Sequence, residues 1–211
     1  MRIAIMGAGG VGGFLGGKLA LAGGDVVFVA RGKHLEALRT HGLRVVGAEE
    51  FTVLPVTVSD QPQALGQVDI VLFCVKLYDT ESAAAQLEPL LADHTVVVTL
   101  QNGVESLQRI GGVIGKERVL AGAAYFPASI NSPGEIIFKG SIPGKPLVEV
   151  AEPQDGSSDC AEQLIQEMQN AGITAAVNEK RKPDAVGEIL LDCRCERCDG
   201  CNSTADWHHT G

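Results

Sequence analysis

From residue 1 to about 175, short apolar segments alternate with longer segments in which apolar residues recur every three or four positions. The short segments are rich in Val, Ile and Leu and are bounded by Gly, Asp or polar turns, as buried parallel strands are. They predict strands at residues 2–6, 25–30, 70–75 and 95–100. The periodic segments predict helices at residues 11–22, 34–41 and 80–91. This alternation predicts a doubly wound α/β fold around a parallel sheet.

Three other stretches complete this domain. Segments 43–58 and 118–150 contain β-branched pairs interrupted by Gly and Pro, which predicts short antiparallel strands. Residues 157–171 carry a helical apolar face, and Gly172 follows where glycine commonly ends a helix.

Composition narrows the class of protein. The chain has 211 residues, 45% of them hydrophobic, which suits one domain of ordinary size plus an appendage. Its net charge of -9 argues against nucleic acid or an anionic membrane as the main partner, since both need a basic surface. No apolar run reaches the roughly 18 to 20 residues that cross a bilayer, and no signal peptide is visible. We therefore expect a soluble, cytoplasmic protein.

The first predicted strand leads directly into GAGGVG, residues 7–12, which has the spacing G-x-G-x-x-G. Gly7 permits a tight turn, Gly9 lets the backbone approach a pyrophosphate, and Gly12 lets the helix pack close to the strand. The N–H groups of that helix terminus then face the phosphates. Because the loop follows a strand and opens a helix, it predicts a dinucleotide site formed by Gly7, Ala8, Gly9, Gly10, Val11 and Gly12.

The end of the second strand indicates which dinucleotide binds. NAD enzymes usually carry an acid there for the ribose 2′-hydroxyl, whereas this chain has Arg31, with Lys33 nearby. A guanidinium can hold a 2′-phosphate through charge-assisted hydrogen bonds, so NADP is favoured over NAD. The alternative is that both residues are solvated charges at a helix start.

Two further strand ends carry polar residues. Lys76 follows the strand at 70–75, and Asn102 follows the strand at 95–100. Ligands of open α/β sheets bind beyond the carboxyl ends of the strands. Lys76 is therefore a candidate for a substrate carboxylate or carbonyl, and Asn102 for nicotinamide or substrate.

Together, GAGGVGG, Arg31, VK at 75–76 and QNGVE at 101–105 resemble the ketopantoate reductase (2-dehydropantoate 2-reductase) family. The resemblance covers residues 1 to about 178 and includes GAAYFPASINSPGEI, in which Ala128 matches a cofactor-contacting alanine. It implies a Rossmann-type domain and NADPH-dependent reduction of ketopantoate to pantoate, in the route to pantothenate and coenzyme A. It also implies a second, all-helical domain that opens with a W-x-K motif, whose lysine is the catalytic acid.

After about residue 180 the chain departs from this pattern. It reads KRKPDAVGEILLDCRCERCDGC, with Cys193, Cys195, Cys198 and Cys201 close together and two histidines following. These could ligate zinc, but the ligand pairs lack the intervening loop that usually folds over the metal. Cysteine codons shifted by one base become Val or Ala codons, and residues 186–189 shifted likewise permit Trp-Glu-Lys-Phe. A frameshift near residue 180 explains both the cysteines and the missing motif, so we expect no metal site.

These observations predict a Rossmann domain at 1–178 and a non-native or disordered tail at 179–211. The catalytic lysine would belong to the lost region, which would leave this chain inactive. Two alternatives stay open: another NADP-dependent hydroxyacid or polyol-phosphate dehydrogenase, and a non-catalytic NADPH-binding or redox-sensing module with a C-terminal zinc element. A homodimer is also left open.

Overall fold

The computed structural model describes residues 1–101, 105–151 and 159–178. The strands are β1 Arg2–Met6, β2 Asp25–Val29, β3 Leu43–Gly47, β4 Phe51–Val53, β5 Thr57–Ser59, β6 Val68–Phe73, β7 Leu91–Thr99, β8 Val119–Ala124, β9 Ala128–Ser132, β10 Glu135–Phe138, β11 Val148–Ala151 and β12 Ala175–Asn178. The helices are α1 Gly10–Leu21, α2 Gly32–His41, α3 Thr80–Ala84, α4 Glu105–Ile114 and α5 Asp159–Asn170. Short 3-10 helices lie at Pro62–Ala64, Leu77–Asp79, Glu88–Leu90 and Lys116–Arg118.

Eight strands form the main sheet, in the order β12-β11-β8-β7-β6-β1-β2-β5. Within this order, the six strands from β8 to β5 are all parallel to one another. Strand β11 is antiparallel to β8. The central strands are covered on both faces, so their apolar residues run almost without interruption, and Ile5 and Leu72 are fully buried. The direction in which successive strands are added reverses between β1 and β6, which opens a crevice at their carboxyl ends.

A second sheet, ordered β4-β3-β10-β9, covers the other side of α1. A Cβ added at Gly16 would meet Phe28 and Ile5 of the main sheet at 2.5 and 2.6 Å, whereas one added at Gly13 would meet Ile136 of the second sheet at 2.9 Å. Glycine therefore recurs along α1 because sheets press on both sides of it. Phe14 is fully buried between these layers.

The predicted strands and helices are present, but several of them begin or end at other residues than predicted. The strand predicted at 70–75 ends at Phe73, and the helix predicted at 80–91 was wrong beyond Ala84. Pro89 lacks an N–H and would clash with the preceding turn, so the segment continues as a 3-10 helix. The C-terminal glycine of α5 is confirmed: Gly172 has φ +72°, and Ile173 N–H donates to Met168 O at 2.8 Å.

The prediction of antiparallel strands in 43–58 and 118–150 was only partly right. β3 pairs antiparallel with β4, and β10 with β9, but β5 joins β2 in parallel and β10 joins β3 in parallel. Helix α4 lies where no element was predicted. None of the described helices is long and apolar enough to cross a membrane.

Candidate functional site

A cavity of about 710 Å³ opens at the carboxyl ends of β1 and β6, where the strand order reverses. Its lining includes most of the residues that the sequence singled out, namely Gly7, Ala8, Gly9, Gly10, Val11, Arg31, Lys76 and Ala128. It also includes residues that the sequence did not single out, among them His34, Asp79 and Gln101. Asn102 lies outside the described residues.

The glycine loop is shaped by close backbone contacts on one side and by open space on the other. Gly7 has φ +99°, and a Cβ there would lie 2.9 Å from the Val75 side chain. A Cβ on Gly10 would lie 2.2 Å from the carbonyl oxygen of Ala128. A Cβ on Gly9 would meet nothing within 4 Å, although Gly9 lines the cavity. The backbone at Gly9 is thus accessible to a ligand.

Gly12 has a different place from the rest of the loop. It does not line the cavity; instead, a Cβ on it would lie 2.2 Å from Gly7 O and 2.8 Å from the Ile5 side chain. Its role is to seat α1 against β1, as the motif requires of its third glycine. The first N–H groups of α1 have no partner within the helix and emerge beside Gly9, its N-cap residue. Such a helix terminus favours an anion.

Arg31, the N-cap residue of α2, reaches across the cavity mouth. Its guanidinium lies 2.5 Å from the Asp79 carboxylate, which comes from the 3-10 helix after β6. The Arg31 side chain is 74% exposed and that of Asp79 is 23% exposed. The two residues are 48 positions apart, so only the pairing of β1 with β6 and β2 brings them together. The only sequence signal for Asp79 was its place three residues after Lys76.

His34 joins the glycine loop to the turn between β9 and β10. Its Nε2 lies 2.8 Å from Ala8 O, which can only accept, and its Nδ1 accepts from Gly134 N–H at 3.0 Å. These partners fix the neutral tautomer with the proton on Nε2. Burial lowers the pKa of His34 below its ordinary value, and the hydrogen bond to Ala8 only partly opposes this. This role was not predictable from sequence, because Gly134 lies 100 residues away.

Lys76, which follows β6, and Gln101, which follows β7, both line the cavity. The Gln101 amide donates to Val75 O and to Thr80 Oγ1, both at 2.9 Å, and thereby fixes the backbone beside Lys76. Among residues 1–101, 105–151 and 159–178, no carboxylate lies within ion-pairing distance of the Lys76 ammonium. Lys76 is therefore a cationic group available to an acidic ligand.

Cys74 lies beside the glycine loop, is half-buried and lines the cavity. Burial raises the pKa of Cys74 to about 12, which disfavours its thiolate form at neutral pH. Within the described part of the chain, no group of three or more His, Cys, Asp or Glu residues is placed to hold a metal ion. The cysteines from Cys193 to Cys201 lie outside that part.

A cavity at the reversal point of a parallel sheet, with a glycine loop between β1 and α1, defines a Rossmann-type protein. The chain matches the family model "Ketopantoate reductase PanE/ApbA" over residues 3–147. The 2-dehydropantoate 2-reductase of Mesorhizobium japonicum is 36% identical over 200 residues, and that of Archaeoglobus fulgidus is 38% identical over 179 residues. The crystal structure of 2-dehydropantoate 2-reductase from Porphyromonas gingivalis has a TM-score of 0.76 and 31% identity, covering 91% of this chain and 67% of that one.

The chain therefore belongs to the ketopantoate reductase family. The alignments cover 85% and 84% of this chain, but only 60% and 56% of the Mesorhizobium and Archaeoglobus proteins. The family that the sequence resembled is confirmed. The chain spans less than two thirds of the length of these relatives.

Proposed function

We propose that this chain provides the cofactor-binding part of an NADPH-dependent reductase that converts ketopantoate to pantoate in pantothenate and coenzyme A biosynthesis. One observation carries the proposal. An open backbone at Gly9, the N-terminus of α1 and the Arg31 guanidinium all border one cavity at the carboxyl edge of the sheet. A dinucleotide with a 2′-phosphate needs these groups: N–H donors for its pyrophosphate and a cation for its ribose phosphate.

The remaining lining residues have proposed roles on the same basis. Ala128 would contact the cofactor beside Gly10, since its backbone already lies against the glycine loop. Lys76 would hold the keto acid carboxylate or carbonyl, and Asn102 would orient nicotinamide or substrate. When bound, the nicotinamide supplies the hydride that reduces the ketone. The two relatives named 2-dehydropantoate 2-reductase support ketopantoate as the keto acid.

Cofactor binding is tested on the chain as it stands. We expect NADPH to bind more tightly than NADH in a fluorescence titration, and Arg31→Ala to weaken NADPH more than NADH. Arg44→Ala is the matched control, because Arg44 also forms an exposed ion pair, with Glu135, but does not line the cavity. If neither dinucleotide binds at millimolar concentration, the proposed function is wrong.

Turnover tests a second part of the proposal, which concerns residues beyond 180. We propose that these residues are encoded out of frame and that the proton donor is a lysine readable in the shifted frame. Sequencing the gene across codons 175–190 checks the frame directly. We expect little ketopantoate-dependent NADPH oxidation by this chain and much more by a frame-restored version, because a general acid contributes about 10²- to 10⁴-fold. Equal turnover by the two versions would show that the acid lies elsewhere.

A panel of other keto acids with NADPH tests the substrate. Faster reduction of another keto acid would favour the alternative of a different hydroxyacid dehydrogenase. Zinc analysis of the purified chain tests the remaining alternative, in which the tail is a metal element. About one zinc per chain, lost in Cys195→Ser, would support it.

A further inference from the structure

The end of β2 lacks the acid that NAD enzymes place there, yet a carboxylate is present at the same spot. Asp79 enters from the segment after β6 and pairs with Arg31, the residue that occupies the usual acidic position. Both side chains line the cavity mouth. The carboxylate thus lies beside the guanidinium that the proposed function assigns to the ribose 2′ position.

The conformation of Asp79 shows that its carboxylate serves this pair and not the neighbouring helix. Asp79 is the N-cap residue of α3, and aspartate is strongly preferred at such positions because its side chain accepts from the first N–H groups. Here the side chain makes no capping hydrogen bond. It turns instead toward Arg31 across the cavity mouth.

We propose that Asp79 supplies the acid missing from β2 and that Arg31 and Asp79 together select the cofactor at its ribose 2′ position. With NADH the pair stays closed, and the Asp79 carboxylate accepts from the 2′-hydroxyl. With NADPH the pair opens, and Arg31 binds the 2′-phosphate. This inference rests on the proposed function, because it presumes that the cavity binds a nicotinamide dinucleotide.

The charge and exposure of the Arg31–Asp79 pair determine how strongly it affects the choice of cofactor. The pair is largely solvent-exposed on the Arg31 side, so opening it costs little. Asp79 nevertheless opposes NADPH twice: it competes for Arg31, and its negative charge repels the 2′-phosphate. The chain should therefore discriminate between the two cofactors less strongly than Arg31 alone would permit.

The decisive experiment measures the dissociation constants of NADPH and NADH for the unmutated chain and for Asp79→Asn. Asparagine keeps the size of the side chain but removes its charge. We expect the preference for NADPH to increase by up to about fivefold, which corresponds to the roughly 1 kcal/mol at the upper end for an exposed ion pair. Asp79→Ser is a second variant with the same expected direction, and thermal unfolding of both checks that the fold is kept.

Glu81→Gln is the matched control. Glu81 also lies on α3 and also pairs with an arginine, Arg109, at 3.5 Å, but it does not line the cavity. We expect its cofactor preference to stay within about twofold of the unmutated chain.

The outcomes separate the two hypotheses. If both cofactors bind and Asp79→Asn and Asp79→Ser leave their ratio unchanged, Asp79 is no selector, while the proposed function stands. An equal change in Glu81→Gln would also overturn the inference, because the effect would then come from net charge. If neither NADPH nor NADH binds the unmutated chain, the proposed function fails and this inference fails with it.

Discussion

The two ends of the cavity are built in different ways. At the inner end, the glycine loop and α1 are pressed between two sheets, and Phe14 stacks on Phe138 with ring centroids 4.0 Å apart. At the outer mouth, the side chain of Arg31 is 74% exposed and Tyr78 is 81% exposed. The inner end is therefore defined by packing, which tolerates little change. The mouth is defined by exposed charges, whose replacement affects a ligand more than it affects the fold.

Replacing Gly10 should have the largest effect on the fold. In Gly10→Ser the new Cβ would lie 2.2 Å from the backbone oxygen of Ala128, so the second sheet must move away from the glycine loop. Overpacking of this kind typically costs about 1 to 3 kcal/mol. We expect the free energy of unfolding, measured by urea denaturation, to fall by that amount, and cofactor affinity to fall with it.

The same substitution one residue earlier separates binding from stability. In Gly9→Ser the Cβ meets nothing within 4 Å, and serine is a preferred N-cap residue. We expect the free energy of unfolding to change by less than about 0.5 kcal/mol, as for a typical surface substitution. Cofactor affinity should nevertheless fall about tenfold or more, because the side chain occupies the backbone surface that a pyrophosphate approaches. Stability losses of similar size in both variants would contradict the distinction drawn between the two glycines.

This difference also explains which features the sequence predicted. The glycine loop was predictable because its constraints are local: a strand, three spaced glycines and a helix follow one another in the chain. Asp79 was not predictable, because its importance depends on a partner 48 residues away. His34 depends in the same way on Gly134. The parallel pairing of β5 with β2 likewise follows from the assembled sheet and not from the pattern within residues 43–58.

The hydrogen bonds that join His34 to the glycine loop and to the turn between β9 and β10 should make stability depend on pH. The pKa of His34 is lowered in the folded chain, so between that value and about 6.5 the unfolded chain binds more protons. The contribution of His34 to stability is then complete above about pH 6.5 and is lost as the pH falls below it. A single proton gives a slope of at most about 1.4 kcal/mol per pH unit. Protonation also removes the acceptor for Gly134 N–H.

His34→Gln checks this prediction, because glutamine can both donate and accept but does not titrate. Urea denaturation of both proteins from pH 8 to pH 5 should show a steeper loss of stability in the unmutated chain than in the variant. The two curves should differ mainly below about pH 6.5. Parallel curves over the whole range would mean that His34 is not held in its neutral form.

The smallest effect on stability is expected at the mouth itself. Arg31→Ala removes the ion pair with Asp79, but an exposed pair contributes between about 0 and 1 kcal/mol and is screened by salt. We expect the free energy of unfolding to fall by less than about 0.5 kcal/mol, and the difference to shrink further in 0.5 M salt. The proposed loss of NADPH affinity should be far larger than this change, because a 2′-phosphate would meet Asp79 without its counter-ion. If Arg31→Ala lowered stability as much as Gly10→Ser does, the mouth would be a structural element of the fold. The contrast between a packed inner end and a charged, replaceable rim would then be wrong.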